Sequence, residues 1–306
     1  MIKVSAIVLT YNRASILTTA IASILDQTFE DFELIVVDNY SGDNTESVVK
    51  SYNDKRIRYF KNQNNGFIGI NRNYGIEKSS GEYIAFLDDD DLWLPEKLEK
   101  QLKLLDSNKE LGLVFSDCYR IDENGNFQND TCFSTLKPHS GNVFDKLLQD
   151  NFIPMPTVMI RREALDRVGL FNPEYKIALD YDLWLRIAKR YPIDFTKEPL
   201  AKYLTHGVNL SRNGELAVGE NIQVVDYWLE KKGDLEGQSR RKAKQDQAIR
   251  HYWLLLLYFR NHDSRKTISR CLNLIKLLPY SLVLIPRGCA KLGRVLCKST
   301  AKMAQI

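Results

Sequence analysis

Four apolar runs, each closed by a polar cluster and followed by a segment of helical period, fill the first 105 residues of this chain. The runs are Val4–Thr10, 33–38 (ELIVVD), 57–60 and 82–87, and the helical segments are 14–27, 45–52, 70–78 and 94–105. On the first of these helices Ile16, Leu17, Ile21, Ile24 and Leu25 share a face. Strands that are apolar on both faces cannot meet water on either, so they belong in a mainly parallel sheet between two layers of helix. In such a sheet ligands bind beyond the carboxyl ends of the strands. That rule directs attention to residues 10–13 (TYNR), 38–41 (DNYS) and 88–91 (DDDD).

Beyond residue 110 the alternation weakens. Residues 113–117 and 157–161 read as strands, 180–190 as a helix and 124–129 as a turn or loop, and from about residue 215 the pattern is helical. Charge divides the chain at a similar place. The whole carries +4, but residues 231–306 hold 17 basic and 4 acidic side chains, against 26 and 35 in residues 1–230. A net +13 tail on a net −9 body implies two regions with different partners. An aromatic content of 10% excludes a disordered chain. Five cysteines without a CxxC pair indicate neither a zinc site nor a disulfide framework, so reduced thiols are expected. Residues 1–5 enter a strand pattern directly, without the basic and apolar regions of a secretory signal.

Asp88, Asp89, Asp90 and Asp91 repel one another, and a fold retains such a cluster either in full solvent or near a cation. Its place at a strand's carboxyl end favours a hard-metal site, with Mn²⁺ or Mg²⁺ held by carboxylates and completed by ligand phosphates. Asp91 has a second reading as a cap for the following helix.

The ordered set 4–13 (VSAIVLTYNR), 36–39 (VVDN), 71–76 (NRNYGI) and 81–91 (GEYIAFLDDDD) resembles the family 2 glycosyltransferases over about residues 3–212. The resemblance implies the glycosyltransferase-A fold, an α/β nucleotide-binding sheet, here followed by a helical C-terminal region. It implies a catalytic domain at 1–214, with a nucleotide-sugar-binding half (1–117) and an acceptor half (118–214), and a basic region at 215–306. By the same resemblance Thr10, Tyr11, Asn12, Arg13, Asp38, Arg72, Asp88 and Asp89 bind the nucleotide-sugar. Asp38 is expected to accept a base N–H, Arg72 to lie near base or diphosphate, Asp89 to touch the ribose, and Asp90, with Asp88, to hold the metal. The family commonly continues Asp-Asp-Gly-Ser where this chain has Asp38-Asn39-Tyr40-Ser41. Strand-end capping is the structural alternative for Thr10 and Asp38, and a surface ion pair for Arg72.

The segment 178–186 (ALDYDLWLR) resembles the family's acidic catalytic motif, with Leu179 in the usual Glu place. Asp180 then matches the base that takes the proton of an acceptor hydroxyl in an inverting transfer. Helix capping is its alternative, and Asp182 is expected to be structural. His206 falls where similar proteins carry a histidine near the metal, with Arg212 in reach of a phosphate. His139, His251 and His262 lie in no motif, and Trp93 and Trp184 are expected in the core.

The implied reaction moves a sugar from a nucleoside-diphosphate donor, uridine-linked by expectation, to a glycan or lipid-linked hydroxyl in bacterial surface polysaccharide synthesis. A nucleotidyltransferase would show a Gly-rich loop at 10–13, and a dinucleotide enzyme G-x-G-x-x-G; neither is present. A non-catalytic nucleotide-sugar-binding subunit is the third alternative. The apolar runs 252–259 and 274–286 are too short to span a bilayer, yet Arg287, Lys291, Arg294 and Lys298 flank them. Interfacial helices on an anionic membrane are expected there, against a soluble helical subdomain or oligomer interface. No nucleic-acid motif accompanies the charge. The expected location is the cytoplasm, at the inner face of the membrane.

Overall fold

The computed structural model describes residues 2–205, 213–231 and 237–260. Two compact units make up the chain, Met1–Arg212 and Asn213–Ile306. The first unit begins with β1 (Val4–Thr10), α1 (Ala14–Leu25), β2 (Phe32–Asp38), α2 (Thr45–Ser51), β3 (Ile57–Lys61), α3 (Ile68–Lys78) and β4 (Tyr83–Asp88). It continues through β5 (Leu92–Trp93), α4 (Lys97–Ser107), β6 (Leu113–Ile121), β7 (Phe127–Thr131), α5 (Phe144–Leu147), β8 (Met159–Arg161), α6 (Arg162–Val168), α7 (Leu179–Ala188) and β9 (Ile193–Leu204). The second unit contains α8 (Gly214–Glu230) and α9 (Gly237–Arg260).

Among the described residues nine strands form one sheet in the order β3-β2-β1-β4-β8-β6-β9-β5, with β7 paired to β6. Strands β1 to β4 are mutually parallel, as their two-sided apolar character requires, and β2 is buried at every residue. Strand β8 joins antiparallel between β4 and β6. The chain order reverses between β1 and β4, so the switch-point crevice opens beyond Thr10 and Asp88. Leu17, Ile21 and Ile24 of α1 and Leu98, Leu102 and Leu105 of α4 close one face of the sheet. On α3, Gly75 permits close approach: a Cβ there would stand 2.6 Å from a methyl of Ile7 on β1.

Several elements depart from the sequence expectation. Residues 127–131 are a strand, because a turn with Gly125 at φ 77° folds them back on β6. Strand β9, 12 residues long, contains Pro199, which a sequence reading demotes; register shifts opposite Asp117 accommodate it. The same return of chain joins Cys118 to Cys132 as a disulfide, with Cα atoms 5.4 Å apart. The expectation of reduced thiols is therefore corrected for this pair, whose separation of 14 residues carries no CxxC signal. Trp93 and Trp184 are core residues as expected, the Trp93 indole N–H donating to the Pro156 carbonyl at 2.9 Å.

Candidate active site

Carboxylates converge on the switch point from the end of β4 and the turn after it. The solvated-loop reading of residues 88–91 does not hold, since Asp89 and Asp91 are buried. Arg13, at the end of the β1 loop, spans the crevice: its Nη1 donates to Asp89 Oδ1 and Asp90 Oδ2, both at 2.9 Å. Burial pushes the Asp89 carboxyl up to about 6, with Asp90 adding to the rise and Arg13 and the Thr10 hydroxyl opposing it. Asp91 does not cap a helix. The short strand β5 intervenes, α4 begins only at Lys97, and Asp91 Oδ1 instead accepts the Leu204 amide at 2.8 Å. Burial, and then the charges of Asp88 and Asp90, hold Asp91 well above the usual carboxylate range.

Arg72 of α3 is buried, and its Nη2 donates to Asp88 Oδ1 at 3.0 Å. The Asp88 side chain is 40% exposed, so this pair forms one wall of the crevice. Its third member comes from far along the chain. Asp180 opens α7, and burial raises its carboxyl to about 6, with Arg72 opposing the rise and Asp88 adding to it. Arg72 thus stands between two acids 92 positions apart in sequence, Asp88 and Asp180. Gly69 of α3 lies against Leu179 and Pro173, so the helix that carries Arg72 abuts the segment that carries Asp180.

Two residues without an assigned role in the sequence hold this arrangement. Asn73 clips the Phe171 backbone in both directions, donating to its carbonyl at 2.9 Å and accepting its amide at 3.0 Å. Arg186 donates to the carbonyls of Val168, Gly169 and Leu170 and to Asp182, fixing the approach to α7 and giving Asp182 its structural role. The Asn73 signal was available, since it lies inside the 71–76 motif. Arg186 was legible only as the partner of Asp182 one helical turn earlier.

At the ends of β1 and β2 the loops are stitched together. Asn12 donates its amide to Ser41 Oγ at 2.8 Å and accepts the Gly42 amide at 2.7 Å, while Asp43 accepts the Ala14 amide at 3.1 Å and caps α1. Asp38 is fully buried. One oxygen accepts the Ser41 amide and hydroxyl, at 2.8 and 2.6 Å, and the other accepts the Tyr59 hydroxyl. Asp38 thus makes hydrogen bonds of the strand-end kind within its own loop. Tyr11 stands exposed beside this loop pair. Of the remaining site expectations, His206 and Arg212 lie outside the described residues, as does His262. His139 makes a ring contact with Phe152, and His251 is buried in α9.

A parallel sheet with its acids and arginines at the switch point defines a nucleotide-binding class of fold. The sequence profile of glycosyl transferase family 2 matches residues 5–169, and the chain belongs to that family. It is 42% identical over 322 aligned positions, covering 98% of this chain and 100% of the relative, to the GalNAc(5)-diNAcBac-PP-undecaprenol beta-1,3-glucosyltransferase of Campylobacter jejuni. It is 40% identical over 210 residues to an uncharacterized glycosyltransferase of Rickettsia bellii, covering 68% of this chain but only 29% of that relative's length. Among solved structures, S. aureus TarS 1-349 in complex with UDP-GlcNAc superposes with a TM-score of 0.70 at 21% identity, covering 90% of this chain and 81% of that one. That likeness establishes the shared fold.

Proposed function

We propose that this protein is a metal-dependent inverting glycosyltransferase that uses a nucleoside-diphosphate sugar, uridine-linked, and a lipid-linked glycan acceptor. The observation that carries the reading is the electrostatic triangle of Asp180, Arg72 and Asp88. In that triangle a carboxyl raised by burial to about 6 lies near the acid that would face a donor diphosphate. The reading keeps a donor half at 1–117 and an acceptor half at 118–214, with β6 running across their boundary.

The donor set suits a hard divalent ion, because Asp88 and Asp90 offer carboxylate oxygens at the crevice. Among the described residues no three His, Cys, Asp or Glu side chains cluster to hold an ion unaided, so donor phosphate oxygens would share the coordination. Asp88 and Asp90 would hold Mn²⁺ or Mg²⁺, which when bound supplies Lewis-acid stabilisation of the leaving diphosphate. Arg13 pairs with Asp89 and Asp90 and Arg72 with Asp88, and Asp88 is the more exposed of the two proposed ligands.

Asp180 then acts as the base. The acceptor hydroxyl gives its proton to the Asp180 carboxylate while its oxygen bonds to the anomeric carbon on the face opposite the diphosphate. The bond from that carbon to the diphosphate oxygen breaks, and its electron pair leaves with the nucleotide. A carboxyl near 6 is ionised at neutral pH yet basic enough to accept a proton in the transition state. Arg72 keeps the carboxylate charged in a site whose burial disfavours it.

Support for the lipid-linked acceptor comes from the Campylobacter relative, which aligns through the basic C-terminal region as well as the catalytic unit. Within the second unit Tyr227 and Trp253 are exposed, and the Lys231 ammonium lies over the rings of Tyr227 and Trp228. Aromatic and basic side chains of this kind favour a membrane interface. No helix among the described residues is long and apolar enough to cross one. The experiment is sugar transfer from UDP-sugars to an undecaprenyl-diphosphate-linked glycan, with and without Mn²⁺ and with vesicles of anionic lipid. Product with an inverted anomeric centre, dependent on the ion, is expected. Turnover indifferent to chelation removes the metal from the reading.

A further inference from the structure

Past the acid cluster the sheet continues through β5, β9, β6 and β7, and one of its faces there is aromatic. Val114 and Cys118 of β6 lie in the core beneath α1 and α4, so the alternate residues of that strand, Phe115 and Tyr119, turn to the opposite face. That is the face of α3 and α7, because Phe86 of β4 meets Phe171, and Phe171 meets Trp184 of α7. Asp88, two residues on from Phe86, points the same way and pairs with Arg72. Leu92 of β5, Lys202 of β9 and Tyr119 of β6 stand opposite one another across three adjacent strands. At roughly 4.8 Å per strand the row carries Tyr119 about 10 Å from Leu92, the residue that follows the acids directly.

Phe127, the first residue of β7, ends the row. Its ring meets Tyr119 edge-on with centroids 5.1 Å apart, and Lys202 Nζ lies 5.1 Å from its centre. Phe127 is 56% exposed all the same, and Lys202 forms no ion pair among the described residues. The hairpin below is braced at both ends of β7. Gln128 donates to the Thr205 hydroxyl at 2.6 Å, and the Cys118–Cys132 disulfide pins the exit of the strand. An exposed ring already fixed by the fold loses little entropy on meeting a ligand.

We propose that Tyr119, Phe127 and Lys202 form a platform for the acceptor glycan: a sugar ring behind the one being modified stacks on Phe127 while Lys202 donates to its hydroxyls. The proposal rests on the glycosyl-acceptor reading above and names residues that reading leaves open. A sugar shows C–H bonds on the faces of its ring and hydroxyls at its rim, so a flat aromatic side chain flanked by a hydrogen-bond donor suits it. The row starts at the acids and runs along the sheet face that α7 covers. A glycan that offers its terminal hydroxyl to Asp180 has the platform in its path.

The test is steady-state transfer by the full chain from a UDP-sugar to undecaprenyl-diphosphate-linked glycans of increasing length, beginning with a single sugar. Wild type, Phe127→Ala, Phe127→Tyr and Lys202→Met are compared. The wild type is expected to show a KM about tenfold lower for the long glycan than for the single sugar. Phe127→Ala should raise KM for the long glycan by about tenfold, hold kcat within about twofold and lose the preference for length. Phe127→Tyr should keep the wild-type pattern, and Lys202→Met should raise KM by about threefold. Affinity for UDP, read by calorimetry, should be the same in all four, and so should the melting temperature, since the Phe127 ring is mostly in solvent. An unaltered KM in Phe127→Ala, a loss confined to kcat, or a wild type indifferent to glycan length overturns the platform and leaves the acceptor reading standing. A wild type that transfers to none of these glycans overturns both.

Discussion

Glu33, near the amino end of β2, and Asp180, at the head of α7, are both acids set into the fold, and their surroundings treat them in opposite ways. Burial by itself would raise Glu33. The Ser80 amide at 2.6 Å, the Arg58 guanidinium at 2.5 Å and the hydroxyls of Ser5 and Ser80 outweigh that and hold it below the usual range. Asp180 also meets burial first, but its helpers are a single guanidinium shared with Asp88 and the backbone amides of Tyr181 and Asp180 itself, and it rises to about 6. Asp89 shows the same imbalance. An acid surrounded by donors completes the fold. An acid left near other acids, with too few donors, keeps the capacity to take a proton or meet a cation.

The comparison can be broken at either end. The largest effect is expected from Asp180→Asn, which removes the proposed base while keeping shape: transfer should fall by about a thousandfold with nucleotide binding retained, read by steady-state kinetics beside calorimetry. Near-normal turnover would return Asp180 to a capping role. Next, Arg72→Met should lower transfer by about a hundredfold and move the acidic limb of the pH profile upward, because the guanidinium is what opposes the rise of Asp180. In the wild type that limb should have its midpoint near 6, with rate rising as Asp180 loses its proton.

Stability should separate the two ends by sign. Glu33→Gln should cost about 2 kcal/mol at pH 7 by chemical denaturation, without altering transfer chemistry. A depressed folded pKa stabilises above the unfolded value and loses that contribution as pH falls, so the deficit should shrink in acid. Asp89→Asn should do the reverse. The raised folded pKa of Asp89 means that the native state binds its proton more tightly. Its favourable contribution is complete below the unfolded value and disappears as pH rises through about 6. The ligand-free wild type should therefore lose about 1–2 kcal/mol between pH 4 and 7 that the variant does not lose. Smallest of all, Tyr40→Gly should stabilise the ligand-free protein by about 1 kcal/mol through relief of its left-handed backbone.

Much of this architecture was legible because burial on two faces writes itself into sequence. Val36 and Val37 on β2, or Ala85 and Phe86 on β4, admit no place but a covered sheet. The position of the acid cluster at a strand's end followed from the same pattern. Strands β7 and β9 were not legible: one has only Phe127 as a large apolar residue, and the other carries Pro199 in a bulge that only its partner strand reveals. Pairing of Cys118 with Cys132 likewise depends on the hairpin and not on spacing. Within the site, the side-chain types pointed to the chemistry, but the engagement of Asp38 by Tyr59 and of Asp91 by Leu204 is tertiary, set by strands 21 and 113 positions away.

The two-way clip between Asn73 and Phe171 spans 98 positions of sequence. It ties the chain that leads into α7 directly to α3. Residues 122–157 hold the same helix from another side, the Tyr181 hydroxyl donating to the carbonyls of Leu147 and Leu148. The head of α7 is thus moored at two points that lie far apart in sequence, and loss of one leaves the other in place.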